Sequence, residues 1–254
     1  MNVLLIGHLS IDLLSDPDGN EVREYGGIAR PAAVLGSLLS GRDQVLPVCA
    51  VPADELESFA SYLAPFPAVS TAGLFAGEHP LPRIPAGGLE GHGHPHEHRP
   101  QPPIPFEKIR RHLSCERLLI NMVSGMDITL ETLDEIRMAV RDRQLPIHLD
   151  VHNLTLRRAK GGQLVRGPLE LWRRWAFMVD TLQMNEQEIA ALSVEKLSEE
   201  ATAGHLLTLG PHAVIVTRGE RGVTVYMNDR KQVMREDIPG VVSRRAKPGC
   251  GDVF

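Results

Sequence analysis

Runs that are apolar at nearly every position, helical patterns that separate them and a length of 254 residues predict an α/β fold on a mostly parallel sheet. That length suits one large domain, or one domain with a small appendage. Six runs rich in β-branched residues read as strands: 2–7 (NVLLIG), 45–51 (VLPVCAV), 117–123 (RLLINMV), 147–151 (IHLDV), 177–184 (FMVDTLQM) and 213–217 (AVIVT). A strand exposed on one face would alternate with polar residues, so continuous apolar runs predict burial on both faces. Helical patterns fall between them at 30–40, 54–63, 130–143, 168–175, 186–192 and 199–209. Strands and helices in this alternation imply right-handed crossovers.

Two stretches break the rhythm. Residues 12–26 read DLLSDPDGNEVREYG, with Asp18 and Gly19 where a tight hairpin turn wants them. Together with an irregular stretch at 69–84 they predict a small antiparallel sheet beside the main one, with lid segments at 13–25 and 69–84. Between 77 and 105, eight prolines, five glycines and five histidines fill 18 of 29 positions, so this segment is expected to be a loop.

Composition narrows the function classes. Apolar residues are 43% and charged residues 23%, which fits a soluble globular chain and neither a disordered nor a membrane protein. A net charge of -5 with 4% aromatic residues excludes basic, aromatic-stacking nucleic-acid recognition. The three cysteines Cys49, Cys115 and Cys250 are odd in number and far apart, which points to a reducing cytoplasm and not to a disulfide framework. The apolar run 3–6 is too short for a signal peptide or a membrane span, so no targeting segment is expected.

Chemistry-bearing residues cluster where strands end. Asp12 follows the first strand, and Gly26 with Gly27 opens a helix. Asn185 and Glu188 follow the strand ending near 184, while Thr217, Gly219 and Gly222 follow the next. Gly249, Cys250 and Gly251 precede Asp252, and such a turn can aim backbone N–H groups at a phosphate while the aspartate takes a proton from a hydroxyl. Each piece also has a plain structural reading. Asp12 can be a turn residue, Asn185 with Glu188 a helix cap, and Gly219 with Gly222 a strand connection.

The order of these pieces resembles the ribokinase-like PfkB family of carbohydrate kinases. That family carries an early Gly-xxxx-Asp, a Gly-Gly pair before a helix, Asn-x-x-Glu, Thr-x-Gly-x-x-Gly and a late Gly-x-Gly-Asp, all present here in that order. The resemblance implies a three-layer ribokinase-like domain over 1–254 with a small β lid, and ATP-dependent phosphorylation of a hydroxyl on a sugar or sugar-like molecule. It implies that Asp12, Gly26 and Gly27 contact the acceptor, that Asn185, Thr217, Gly219 and Gly222 serve the nucleotide, and that Glu188 organises magnesium through water. Gly249, Cys250 and Gly251 would form an anion hole and Asp252 would be the base. It leaves room for a homodimer joined through the lid, with no nucleic acid or membrane as partner.

The chain departs from the family pattern at Pro31, where an asparagine is usual, and at Ala246-Lys247-Pro248, where Asp-Thr-Thr is common. The family's Asp-Pro-Asn appears as Asp150-Val151-His152, with Asn153 one place late. Family members also run further past the base, so frayed residues at 249–254 and poor turnover are expected of this chain. A non-catalytic relative that binds a nucleotide or sugar is the alternative. His92, His94, His96 and His98 share one face of an extended chain, a pattern that suits zinc, nickel or copper but more often marks a solvated loop. Arg157-Arg158 and Arg244-Arg245 read more readily as solvated charge than as phosphate clamps.

Overall fold

The computed structural model describes residues 1–15, 18–85, 101–192, 195–229 and 232–240. The first half runs β1 (Asn2–Ile6), β2 (Leu9–Ser15), β3 (Glu21–Gly27), α1 (Ala29–Leu38), β4 (Gln44–Pro52), α2 (Leu56–Leu63), β5 (Leu74–Gly77), β6 (Arg83–Pro85), α3 (Phe106–Ile109) and β7 (Arg117–Asn121). The second half runs α4 (Leu130–Val140), β8 (Ile147–Asp150), β9 (Leu156–Arg158), β10 (Leu164–Arg166), α5 (Trp172–Phe177), β11 (Thr181–Asn185), α6 (Glu186–Ala191), α7 (Glu199–Leu209), β12 (Ala213–Thr217), β13 (Val223–Asp229) and β14 (Gln232–Ile238).

The main sheet has the order β14-β13-β12-β11-β8-β7-β1-β4-β5. From β12 to β5 every pairing is parallel, and β13 and β14 add an antiparallel edge. Alternate residues of the inner strands enter two different cores, which is why the sequence is apolar at successive positions. Leu4 and Ile6 of β1, Leu118 and Ile120 of β7, Leu149 of β8 and Met184 of β11 pack under α3 to α7. Leu5, Cys49 and Val51 turn the other way, against Ala32 of α1 and Phe59 and Leu63 of α2. The three-layer α/β expectation is met.

A second sheet, β3-β2-β6, leaves the main one at the end of β1. Its β2 and β3 are antiparallel, as the turn at Asp18 and Gly19 predicts, with Gly19 at φ 85°. The stretch 69–84 divides between the sheets: β5 extends the main sheet beside β4, and β6 joins β2 in parallel and not antiparallel. A parallel partner is reachable here because the chain crosses over between β3 and β6 instead of reversing directly.

Other differences concern boundaries. The strand expected at 177–184 starts only at Thr181, because the amides of Met178 and Val179 bond back to Trp175 and Ala176 and finish α5. The helix expected at 168–175 starts at Trp172, after Leu171 adopts φ 53°. A short apolar run does not tell helix end from strand start. The hairpins β9–β10 and β13–β14 were not among the expected strands.

His148, on β8, faces away from the larger core, and burial pushes its pKa down to about 4, opposed by a hydrogen bond with Gln183. The unfolded chain protonates this ring near pH ~6.5, so between about pH 6.5 and 4 it binds more protons than the fold does. Urea midpoints are therefore expected to fall across that window, and the fall to be shallower in His148→Gln. An equal slope in both proteins would remove His148 from the acid response.

Candidate active site

Parallel α/β sheets bind ligands beyond the C-terminal ends of their strands. Here those ends gather Gly7 and His8 after β1, Met122 to Ser124 after β7, Asp150 of β8, Asn185 of β11 and Thr217 of β12. Parallel register sets Asn185 directly beside Thr217. The sheet β3-β2-β6 begins two residues past β1, at the same end.

Asp12 lies on β2 between Glu24 of β3 and Ile84 of β6. Its Oδ1 accepts from the Ser10 hydroxyl at 3.0 Å, and its Oδ2 lies 2.5 Å from Nη2 of Arg30. Burial pushes the Asp12 carboxyl up, and Arg30 and Ser10 pull against that rise. The glycine pair has two separate reasons. A Cβ on Gly26 would sit 2.0 Å from Oδ1 of Asp12, so only glycine leaves the carboxylate its place. Gly27 has φ 58°, and a Cβ there would lie 2.3 Å from the carbonyl oxygen of His8. Thus Asp12 and the glycine pair, 14 residues further along the same hairpin, come together in the fold.

Arg30 and Pro31 belong to the first turn of α1. Proline is tolerated there because the first amides of a helix have no intrahelical acceptor. No sequence signal marks Arg30 as the partner of Asp12, since the contact depends on how the hairpin folds back over α1.

Below the hairpin, Asp127 is fully buried and organises the strand ends. Its Oδ1 accepts from the His8 amide at 2.6 Å, and its Oδ2 from the Ser124 amide at 2.9 Å and hydroxyl at 3.1 Å. Nδ1 of His8 is 2.8 Å from Oγ of Ser124. The loops after β1 and β7 are thereby tied together, and neither His8 nor Ser124 was singled out by the sequence.

Asn185 caps α6, its Oδ1 accepting from the Gln187 and Glu188 amides at 2.9 Å each. Glu188 answers, accepting from the Asn185 amide and side-chain nitrogen at 2.7 Å each. This is a reciprocal capping box. Nη2 of Arg166 is 3.3 Å from Oε1 of Glu188, whose side chain is 3% exposed. The Glu188 carboxylate thus accepts two cap donors and faces a guanidinium. No group of three or more His, Cys, Asp or Glu gathers to hold a metal among the described residues.

Thr217 ends β12, and the connection to β13 turns through Gly219 at φ 58° and Gly222 at φ 98°. A Cβ on Gly222 would lie 2.0 Å from the carbonyl oxygen of Ile238. Just before the glycines, Arg218 anchors the turn, donating to Glu186 at 2.5 Å, to Thr224 at 2.8 Å and to Glu199. Burial acts to raise the Glu199 carboxyl, but hydrogen bonds from Arg218 and Tyr226 hold it below its ordinary range. Burial and the bond to Glu199 push the Tyr226 hydroxyl up to about 12.

A cavity of about 250 Å³ opens between β6, the loop after β7 and the β9–β10 hairpin, lined by Ile84 of β6, Val123 and Ser124 after β7, and Leu156, Arg157 and Arg158 of β9. Gly249, Cys250, Gly251 and Asp252, like the histidine tract from His92 to His98 and the Arg244-Arg245 pair, lie outside the described residues.

No family model and no curated protein matches the chain. Solved structures do. A sulfate complex of a pyrophosphate-dependent kinase in the ribokinase family is 14% identical with a TM-score of 0.69, over 99% of this chain and 83% of that one. The fold is that of the ribokinase family. A doubly substituted fructokinase from Vibrio cholerae O395, bound to fructose, ADP and potassium, shares the ribokinase fold at 15% identity and a TM-score of 0.69, over 99% of this chain and 80% of that one. Aminoimidazole riboside kinase from Salmonella enterica does so at 15% identity and 0.67, over 99% and 81%. Within its ribokinase fold, the chain brings Gly26 against Asp12 and Gly27 against His8, and sets Asn185 beside Thr217.

Proposed function

We propose that the protein is a carbohydrate kinase that moves the γ-phosphoryl group of ATP onto a hydroxyl of a sugar or sugar-like molecule. The observation that carries this reading is Asp12, held by Ser10 and Arg30 in the space that Gly26 leaves, at the mouth of a parallel sheet with the ribokinase fold. Asp12 and the backbone at Gly26 and Gly27 orient the acceptor, and the sheet β3-β2-β6 acts as the lid that excludes water. Thr217, Gly219 and Gly222 border the nucleotide, beside Asn185. Backbone N–H groups at Gly249, Cys250 and Gly251 receive the transferring phosphoryl group, and Asp252 accepts the proton from the attacking hydroxyl. Glu188, which also closes the Asn185 cap, organises magnesium through water.

Dimerisation through the lid and a cytoplasmic site of action belong to the same reading. None of the described helices is long and apolar enough to cross a membrane.

Sugar-stimulated ADP formation across a sugar panel tests the reaction. Asp12→Ala is expected to weaken acceptor binding by roughly 10- to 150-fold, the worth of a hydrogen bond to a charged group, while nucleotide affinity stays within about twofold. Equal weakening of both ligands would take Asp12 out of the acceptor site. The pairing of Asp12 with Arg30 also suits a non-catalytic relative, which would bind a sugar or nucleotide and form no ADP.

A further inference from the structure

We propose that the acceptor is anionic, a sugar carrying a phosphate or a carboxylate, and that Arg157 receives that group in the cavity between the lid sheet and the end of β7. This rests on the kinase reading and narrows its substrate class. Ile84 lines the cavity and is the register partner of Asp12 across β6 and β2, so the two stand on one face of the lid.

The lining contains no carboxylate, and its charged side chains are Arg157 and Arg158. The Arg158 guanidinium donates to the Gly162 carbonyl at 2.8 Å within its own hairpin. Arg157 has no carboxylate partner among the described residues. Its guanidinium is instead seated on Gly167, where an added Cβ would come within 2.4 Å of Cζ and Nε. Glycine at 167 therefore gives this guanidinium its position beside the cavity. The neighbouring carboxylates are already matched, Asp12 by Arg30 and Glu188 by Arg166, while Asp127 accepts from the His8 and Ser124 amides. An arriving anion thus meets positive charge that is not spent on the protein's own acids.

Calorimetric binding to the full chain tests this with fructose against fructose 6-phosphate and sorbitol against gluconate, at low and high salt. At least one anionic probe is expected to bind about tenfold or more tightly than its neutral parent, with the preference shrinking as salt rises. The pair that shows the preference identifies the anion. Arg157→Gln is expected to abolish the preference while leaving the neutral parent's affinity and the melting temperature near wild type. Gly167→Ala keeps the charge but displaces the guanidinium, and is expected to reduce the preference. Neutral and anionic probes binding alike, or a preference that survives Arg157→Gln, would overturn the proposal and leave the kinase reading standing. Loss of ATP binding alone in Arg157→Gln would move the arginine to the donor and overturn it too. Binding of none of the four probes by the folded chain would sink both.

Discussion

Asp252→Asn is expected to lower turnover by roughly 100-fold or more while nucleotide binding persists. The amide keeps the size and shape of the carboxylate but offers no basic oxygen to the acceptor's hydroxyl proton, so the loss falls on the chemical step. Phosphoryl transfer gains most from alignment and charge neutralisation, which leaves the base as one of few protein groups that change protonation during the reaction. Single-turnover ADP formation alongside calorimetric nucleotide binding separates the two effects. A variant that turns over like the parent would remove Asp252 from the mechanism, and one that loses nucleotide binding as well would make it a structural residue.

Gly222→Ala is expected to cost about 3 kcal/mol or more and to lower the melting temperature by roughly 6–12 °C. The residue has φ 98°, and an added Cβ would press on backbone, 2.0 Å from the Ile238 carbonyl oxygen and 2.4 Å from the Gly240 amide nitrogen, where no side chain can swing aside. Gly219 provides the control. It also has positive φ, at 58°, but a Cβ there meets nothing within 4 Å, so Gly219→Ala should cost only about 1 kcal/mol. Equal melting temperatures for the two variants would show that the close approach at Gly222 relaxes freely. The same pair tests whether Gly222 in the Thr-x-Gly-x-x-Gly motif serves packing first, since a nucleotide effect confined to Gly219→Ala would point to the turn itself.

The motif Asn185-x-x-Glu188 shows how far a pattern can be read. Both its cap reading and its ligand reading rest on the same residues at the same spacing, and the hydrogen bonds that form the cap involve the backbone amides of Asn185, Gln187 and Glu188. Arg166, which adds its guanidinium to Glu188, comes from a hairpin 22 residues earlier that carries no strand signal long enough to predict. The final Gly-x-Gly-Asp is legible only as sequence.

What the sequence determined by itself is the layering. A strand between two helical layers must be apolar at successive positions, so NVLLI, RLLIN and AVIVT announce buried parallel strands, and the glycines and acids after them mark the strand ends where ligands bind. What only the tertiary structure decided is which charges meet. Asp12 with Arg30, Glu188 with Arg166, and Arg157 against Gly167 depend on hairpin register and on how the sheet β3-β2-β6 folds over α1. The placement of 69–84 was settled the same way, by which edge was open: β5 reached the outer side of β4, and β6 the outer side of β2. Periodicity reports how deeply a residue is buried, because burial is a property of one position and its face. Pairing belongs to two distant positions at once, and one residue's slip in register would send either partner to the opposite face.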